Sequence, residues 1–598
     1  MNFTSSTSTS SSISTSSSLD EIGLQHGLDQ SSQHHDYLKI YAKELSQYQN
    51  TISFVTIITA QDPIAFGNSF GSYFYNSKIT VIALGDNKTA TVSALGNVQI
   101  IYCSNYNAMH DAMMLGPRPD VLIEDGSNKK SQKLDIFKEF FLYLKENGKY
   151  VIEDLHASYI DSLNDVEGED VLGLVARLID QKRQTKAAMK KLSGDERELS
   201  LAIQSYTNYG KLAFVVKAGN HLIKLRDSQA NLCLTERYGN EWGKNIFSKF
   251  PFEWELKNSP KTNDKRFDKR FKNPIPVPAM NVRIYNNVDC FARKVCVLGD
   301  FILPDSFRHG GARRLGSTGL IDATPIFASL PPVRKIRTLE GRYYYLDTEY
   351  PGHFGHIMTE VVSHLWAWKE ALHLYPDLKA LVSLPKNKKS IPTFQAEIFD
   401  AFGINRDRIE YIEYDEKVSV EFLIACTPQL SNPNWVHPEV VQIWDEIAQK
   451  VISESKVFPK NIFVSRPYAD ERSCNNTLEV EHFFSDHGFE IVYPETMTFS
   501  EQLSLFSGAR KIAGFGGSGL FNMMFCANEG MRIVISGETY IAANEHLIAA
   551  ATGAELHYFW CKSDKQYPVG RWTAEAFRSN FTFDFERDGH ALSRLLKE

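Results

Sequence analysis

NIFVSRPYADERSCNNTLEVEHFFSDHGFEIVYPETMTFSEQLSLFSGARKIAGFGGSGLFNMMFCANEGMRIVIS, residues 461–536, decides the fold. Within it, apolar β-branched runs alternate with helical patterns. NIFVSRP (461–467), FEIVYPE (489–495), KIAGFG (511–516) and MRIVIS (531–536) read as strands. LEVEHFFSDHG (478–488), SEQLSLFSGA (500–509) and residues 519–528 read as helices. Such alternation predicts a parallel sheet covered by helices on both faces. Upstream the texture continues. GRYYYLDTEY (341–350), LKALVSLP (378–385) and RIEYIEYD (408–415) are strands, with helices at about 355–373 and 393–402. RIYNNVDCFARKVCVLGDFIL (283–303) reads as paired strands, and VVQIWDEIAQKVISES (440–455) as a long helix. The expectation is α/β throughout: two Rossmann-like domains, 281–455 and 456–598, facing a cleft.

Further out lies a third αβ region, 37–220. TISFVTIITA (51–60), KITVIALGD (78–86), VQIIYC (98–103), DVLIED (120–125) and GKYVIED (148–154) are its strands. Between the two regions, SPKTNDKRFDKRFKNPIPVP (259–278) is charged and proline-rich, so 221–280 is expected to be a linker. Its cluster Lys261, Lys265, Arg266, Lys269, Arg270 and Lys272 reads as solvated, with contact to anionic lipid or polymer as the alternative. Residues 1–36 begin with a Ser/Thr tract that buries too little apolar surface to offset its ordering entropy, and disorder is expected.

Composition narrows the function. Of 598 residues, 43% are hydrophobic and 23% charged, as in soluble globular protein. The 72 acidic and 65 basic residues leave a net charge of −7, which argues against nucleic acid as the main partner. Eight cysteines lie far apart without a CxxC, the pattern of free thiols in a reducing compartment. No apolar run reaches the roughly 18–20 residues of a membrane span, and the N-terminus does not read as a signal peptide. A cytoplasmic protein without a transmembrane segment is expected, with peripheral membrane contact left open.

Two segments carry chemistry. In GFGGSGLFN (514–522) glycines let the backbone approach a ligand, and the following helix start presents N–H groups to phosphate. Arg466, at the end of the first strand, is placed to neutralise a diphosphate. Tight helix–strand packing is the competing explanation of the glycines. In YPGHFGHIMTEVVSHLW (350–366), His356, Glu360 and His364 share a helix face. A His and a carboxylate there suit a general base and its orienting partner. The spacing is not that of HExxH, and no metal site is expected.

Together these segments resemble glycosyltransferase family 61 over about 280–560. The carriers are GHFGHIMTE (352–360), VSRPYADERSCNN (464–476), YPETMTFSEQLSLFSGARKIAG (493–514) and FGGSGLFNMMF (515–525). The resemblance implies a GT-B fold, with a nucleotide-sugar donor in the C-terminal domain and a glycan acceptor. It also implies metal-independent, inverting transfer, with no cofactor. The base would be His356 or Glu360, with Asp347 as a third candidate. Arg466 and Arg472 would hold the diphosphate, with the backbone of Gly516, Gly517, Ser518, Gly519 and Leu520, while Gln502 and Asn522 would contact nucleobase or ribose. One departure is the place before the glycine pair, where family members often carry His and this chain has Gly516 or Gly517.

The region 37–220 resembles class I methyltransferases of the macrocin O-methyltransferase and cephalosporin hydroxylase-like group. DVLIEDGSNKKSQ (120–132), LKENGKYVIEDLHASY (144–159) and SYTNYGKLAFVVKAG (205–219) carry that likeness. It implies S-adenosylmethionine as a cofactor, with Gly67, Gly71, Asp86 and Asp125 as its candidate contacts, and Asp125, Asp154 and His156 as the remnant of a metal or catalytic site. The glycine loop after the first strand, ITAQDPIAFGNSFGSYF (58–74), lacks the usual acid-x-Gly-x-Gly. The expected function is glycosyl transfer in surface or capsular polysaccharide synthesis. The alternatives are a bifunctional glycosyl- and O-methyltransferase, and a non-catalytic glycan- or nucleotide-sugar-binding scaffold.

Overall fold

The computed structural model describes residues 17–597 except 86–90, 94–95, 127–128, 185–188, 190–191, 453–457, 468–470 and 527–528. The chain divides into two compact units. The first comprises Met1–Ile223, Leu232–Gly239 and Ile326–Ser329, and the second Lys224–Asn231, Asn240–Pro325 and Leu330–Glu598.

The first unit is built on an eight-stranded sheet. Its strands are β1 (Phe54–Thr59), β2 (Lys78–Leu84), β3 (Thr91–Ser93), β4 (Val98–Cys103), β5 (Val121–Asp125), β6 (Lys149–Ile152), β7 (Ile203–Asn208) and β8 (Ala213–Lys217). The order is β3-β4-β2-β1-β5-β6-β8-β7. Strands β4, β2, β1, β5 and β6 are parallel, and β3, β8 and β7 are antiparallel additions. Strand order reverses between β1 and β5, which makes their C-terminal ends the place where such sheets bind ligands.

Residues 19–36 do not follow the expectation of disorder. Ser18 caps helix α1 (Leu19–His26) in a capping box with Glu21. Leu19, Ile22 and Leu28, and Leu38 and Tyr41 of α2 (Leu38–Glu44), are buried in the core of the unit. A handful of apolar residues at helical spacing suffices here, which bulk composition hides. The tract at 1–16 lies outside the described residues.

The second unit holds two large sheets and, among the described residues, two two-stranded ones. The first contains β9 (Gly243–Lys249), β11 (Met280–Phe291), β12 (Val295–Leu298), β13 (Phe301–Ile302), β14 (Lys335–Tyr345), β15 (Lys379–Ser383), β16 (Ile409–Ile412) and β17 (Glu416–Cys426). Its order β13-β12-β11-β17-β14-β15-β16 is parallel from β17 to β16 and antiparallel on the other side, with β9 paired to β11. The hairpin turn before β12 places Arg293 and Lys294 at φ 67° and 63°. The second sheet is six-stranded: β10 (Lys261–Thr262), β18 (Asn461–Val464), β19 (Glu490–Val492), β20 (Lys511–Phe515), β21 (Met531–Gly537) and β22 (Glu555–Cys561). Its order β10-β22-β21-β20-β18-β19 is parallel throughout, as the alternation predicts.

The expected linker is instead a strap belonging to both sheets. β9 extends one and β10 the edge of the other. Asn263 exchanges two hydrogen bonds with the Trp560 backbone, at 3.1 and 2.8 Å. Much of its basic cluster is structural: Lys261 pairs with Glu555, Arg266 with Asp264, and Arg270 stacks on Phe267 and Trp560 at 4.3 and 4.9 Å. Proline and charge marked irregular backbone correctly, but an edge strand of two residues leaves no periodicity to read.

Candidate functional site

In the second unit, a cavity of about 290 Å³ opens against the glycine loop. Its walls include Phe354, Ser465, Arg466, Glu495, Ser518 and Gly519. A smaller cavity, about 50 Å³, is lined by Arg308, His309, His356, Glu360, Asn432 and Asn544. Phe354 belongs to one wall and His356 to the other, so one helical turn joins the two.

That turn begins a helical segment, 354–374, which widens to a π turn over Ile357–Val361 and tightens to 3₁₀ over Val362–Ala367. Such interruptions are frequent at functional sites. Gly355 explains the close approach of helix and loop: a Cβ there would sit 2.9 Å from the Cβ of Ser518.

His356 Nδ1 lies 2.6 Å from Glu360 Oε1. Arg308 Nη1 approaches the same Nδ1 at 3.3 Å. One nitrogen does not donate and accept at once. The shorter, charge-assisted contact fixes the proton on Nδ1, which donates to Glu360 and leaves Nε2 as the acceptor. Tyr350 stacks on the imidazole at 4.3 Å, and Thr348 Oγ1 donates to Glu360 Oε2 at 2.7 Å. Arg308 also lies 3.7 Å from Glu360 and 3.7 Å from Glu349. Burial opposes ionisation of Glu360, but the His356 hydrogen bond and the Lys294, His356 and Arg308 charges outweigh it and hold the carboxyl at about 2. His364 is not part of this pair: its Nδ1 faces the Glu360 carbonyl at 2.5 Å, and burial holds the ring down at about 3.

Asp347 does not reach the cavity as a base. It is 2% exposed, and its carboxylate accepts from Lys294 N, Thr348 N, Ser383 N and Ser383 Oγ at 2.6–3.1 Å. It ties the Arg293–Lys294 turn to the ends of β14 and β15.

Arg466 stands at the end of β18 beside the loop, with Nη1 3.8 Å from the position of a Gly517 Cβ. Its Nη2 donates to the Glu471 carbonyl at 3.3 Å, and its Nε is buried without a partner among the described residues. Burial, then the neighbouring Arg472 charge, pulls the guanidinium down to about 10. Arg472 itself stacks over Tyr540 and Phe577 at 5.5 and 5.9 Å, so it acts on the site through its charge.

The loop donors differ from expectation. Gly516 N–H goes to Ile535 O at 3.0 Å, Leu520 N–H to Gly517 O at 3.0 Å, and Gly517 N–H to the Glu545 carboxylate at 2.8 Å. Ser518 and Gly519 begin the 3₁₀ helix Ser518–Phe525, so their N–H groups have no partner within it, and both residues line the cavity. Gly517, at φ 141°, turns the backbone into that helix. Gln502 and Asn522 bind each other at 2.8 Å, and Gln502 Nε2 also donates to Pro494 O and Met497 O. Gln502 braces the wall formed by α5 (Phe499–Gly508), while Asn522 Oδ1, beside the cavity, is buried without a partner among the described residues. Glu495, exposed on the cavity rim just past β19, is a carboxylate that sequence reasoning passed over. Arg308, Glu349 and Glu545 were missed as well, because each lies in a segment without motif spacing.

In the first unit, the carboxylates at the C-terminal strand ends are held by its own side chains. Thr59 Oγ1 donates to Asp125 at 2.9 Å, Gln30 Nε2 to Glu153 at 3.0 Å, and Tyr37 Oη to Asp154 at 2.8 Å, while Tyr41 Oη also bonds Glu153. Burial, then the Glu153 charge, pushes Asp125 up to about 9; burial brings Glu153 to about 8. Gly67 and Gly71 are not in a cofactor loop. They lie inside helix α3 (Pro63–Tyr73), where a Cβ on Gly67 would meet Val98 at 2.8 Å. Only Ala60, Gln61 and Asp62 join β1 to α3, and Asp62 spends its carboxylate capping that helix. These residues do not fit the methyl donor's glycine cradle. Asp86 lies outside the described residues.

Residues 354–534 match the family model Glycosyltransferase 61. The match runs from the helix start through the glycine loop, and the family implies glycosyl transfer as the general activity. No curated protein matches the chain. Solved structures similar to it include the MycE methyltransferase of the mycinamycin biosynthetic pathway, in complex with Mg, SAH and mycinamycin VI. That likeness has 21% identity and a TM-score of 0.29, and covers 34% of this chain and 55% of that one. The chain thus spans about half the length of MycE. A Methanococcus jannaschii fibrillarin, a pre-rRNA processing protein, is similar at 14% identity and TM-score 0.17, over 28% of this chain and 66% of that one. Among the described residues no helix is long and apolar enough to cross a membrane.

Proposed function

We propose that the second unit is an inverting glycosyltransferase of GT-B type, moving a sugar from a nucleotide-sugar donor to a hydroxyl of a glycan acceptor. The observation that carries this reading is Arg466. It is a largely desolvated guanidinium that pairs with no carboxylate among the described residues and shares a cavity with Ser518 and Gly519, the first residues of a 3₁₀ helix. Such a cation is unfavourable unless an anion completes it. A diphosphate against Arg466, Ser518 N–H and Gly519 N–H completes it and stabilises the leaving group as charge develops. Glu495 then lies at the end of the second strand, where a carboxylate meets a ribose diol. The acceptor occupies the smaller cavity. His356 Nε2 takes the proton of its attacking hydroxyl, and Glu360 balances the imidazolium that forms. No metal or redox cofactor enters this reading. The acceptor is a growing surface or capsular polysaccharide, handled at the cytoplasmic face. The first unit is proposed as non-transferring.

The test is a transfer assay with UDP-, GDP- and CMP-sugars, reading nucleotide release and product anomer by NMR. The reading predicts one donor class and inverted product. Turnover of Arg466→Ala within threefold of wild type sinks the diphosphate assignment. S-adenosylhomocysteine is expected to leave the melting temperature unchanged.

A further inference from the structure

A buried acid stands directly behind the proposed phosphate loop. Glu545 is the second residue of helix α6 (Asn544–Thr552) and is fully buried. It lies beyond the residues that match the family model. Its Oε1 accepts Gly517 N–H at 2.8 Å, and its Oε2 faces Tyr558 Oη at 3.4 Å. It forms no ion pair among the described residues. Facing it are Tyr558 from β22, Tyr540 from the loop after β21, and Arg472, whose charge acts without a bond. On its own helix His546 packs against Phe271 at 5.0 Å, and burial holds that ring down at about 4.

The Gly517 peptide therefore lies between two opposite demands. Arg466, in the cavity beside the loop, calls for an anion on one side, and the Glu545 carboxylate holds Gly517 N–H on the other. Like charges separated by little more than a peptide, in a low-dielectric interior, do not both persist. Burial has already raised Glu545 to about 7, against the opposing pull of Gly517 N–H and Arg472. An incoming anion pushes it further in the same direction.

We propose that Glu545 is a proton-linked positioning residue of the phosphate loop: as a carboxylate it holds Gly517 N–H from behind, and it takes one proton from solvent when a diphosphate occupies the loop's front. Protonated, it still accepts from Gly517 through its carbonyl oxygen, so the loop keeps its shape while the opposing charge is removed. A free nucleoside diphosphate carries more negative charge than the sugar-linked donor. The coupling is therefore stronger for product than for donor, and alkaline conditions speed product release. This inference rests on the donor-site reading above.

The experiment is calorimetry of UDP, GDP, CDP and pyrophosphate binding to the full chain at pH 8, in buffers of low and high ionisation enthalpy. At that pH the last phosphate proton of each nucleoside diphosphate is already off, so proton uptake is read from those three; pyrophosphate, which still holds a proton there, reports binding alone. Wild type is expected to take up about 0.5–0.8 of a proton per ligand, with affinity falling by up to about tenfold per pH unit between 7 and 9. Glu545→Gln is expected to bind with no uptake and a flat pH profile. Binding to wild type without proton uptake overturns the proposal and leaves the donor site standing. The same holds if uptake persists in Glu545→Gln. Failure of every ligand to bind wild type, at pH 6.5 as well as 8, overturns the donor-site reading and this inference together.

Discussion

The two units each gather buried carboxylates at the ends of parallel strands or beside them, and they treat the charge in opposite ways. In the first unit burial raises Asp125 and Glu153 toward the protonated form; Gln30 and Tyr41 of the chain's own N-terminal segment bond Glu153, and Thr59 bonds Asp125. In the second unit Glu360 is neutralised by neighbouring cations and sits beside an open cavity. Burial acts alike on all three. The difference is made by what the neighbours donate: hydroxyls and an amide in one case, an imidazole and a guanidinium in the other. An acid held by its own fold has no capacity left for a ligand. An acid held by a histidine keeps that histidine's far nitrogen ready for chemistry.

The largest effect that tests this contrast is on turnover. His356→Ala is expected to lower kcat by about 10²–10⁴-fold, the usual contribution of a positioned base. Asp125→Asn, in the other unit, is expected to leave turnover within twofold. If both variants lose activity alike, the two acid sites do not differ as argued.

Arg466→Ala comes next. It is expected to lower turnover, and to lower kcat/KM for the donor by about 10–100-fold, in line with roughly 1.5–3 kcal/mol for a hydrogen bond to a charged group. Arg466→Lys is expected to recover part of this, since a point charge replaces a fork.

How far the sequence carried this site follows from the same residues. The strand–helix alternation over 461–536, the helix start at His356 and the loop at 514–519 were legible, because periodicity and glycine placement are local signals. The roles of Asp347, Gln502, Gly67 and Gly71 were not. Each is decided by what lies opposite in space: the Arg293–Lys294 turn for Asp347, the Pro494–Met497 carbonyls for Gln502, Val98 for Gly67. Residue type stated what these side chains are able to bind, and only the fold stated that the binding is already satisfied. The strap at 240–280 was misread for a related reason, since its few strand residues pair with partners remote in sequence, near positions 280 and 557.

Asp347→Ala separates structure from chemistry. It leaves three backbone donors and the Ser383 hydroxyl without their acceptor, and is expected to destabilise the second unit by about 1–3 kcal/mol. Hydrogen exchange at Lys294 and Ser383 reads the loosening. The pH profile of kcat should keep its wild-type shape. A profile that loses its base limb would restore Asp347 as the proton acceptor.

The smallest effect is the most diagnostic of the contrast, because the two units are expected to respond to pH with opposite signs. Glu153 is raised in the fold to about 8 from an unfolded value near 4.5. Below pH 4.5 both states hold the proton and pH has no influence. Above it the unfolded chain releases the proton while the fold retains it, so stability falls as pH rises toward 8. Asp125 adds to the same trend up to about 9. Glu360 is lowered in the fold to about 2, so its contribution is complete above pH 4.5 and is lost as pH falls toward 2. Hydrogen exchange resolves the two in one intact chain, through amides of β5 and β6 for the first unit and of 354–374 for the second. Between pH 5 and 8 the first set is expected to lose protection steadily, and the second to stay level. Glu153→Gln removes the proton and should flatten most of the first slope, since its amide still bonds Tyr41. A slope of equal sign in both sets, or one that survives Glu153→Gln and Asp125→Asn together, would mean that protons do not hold the first unit's acids, and that its covered strand ends are a binding site after all.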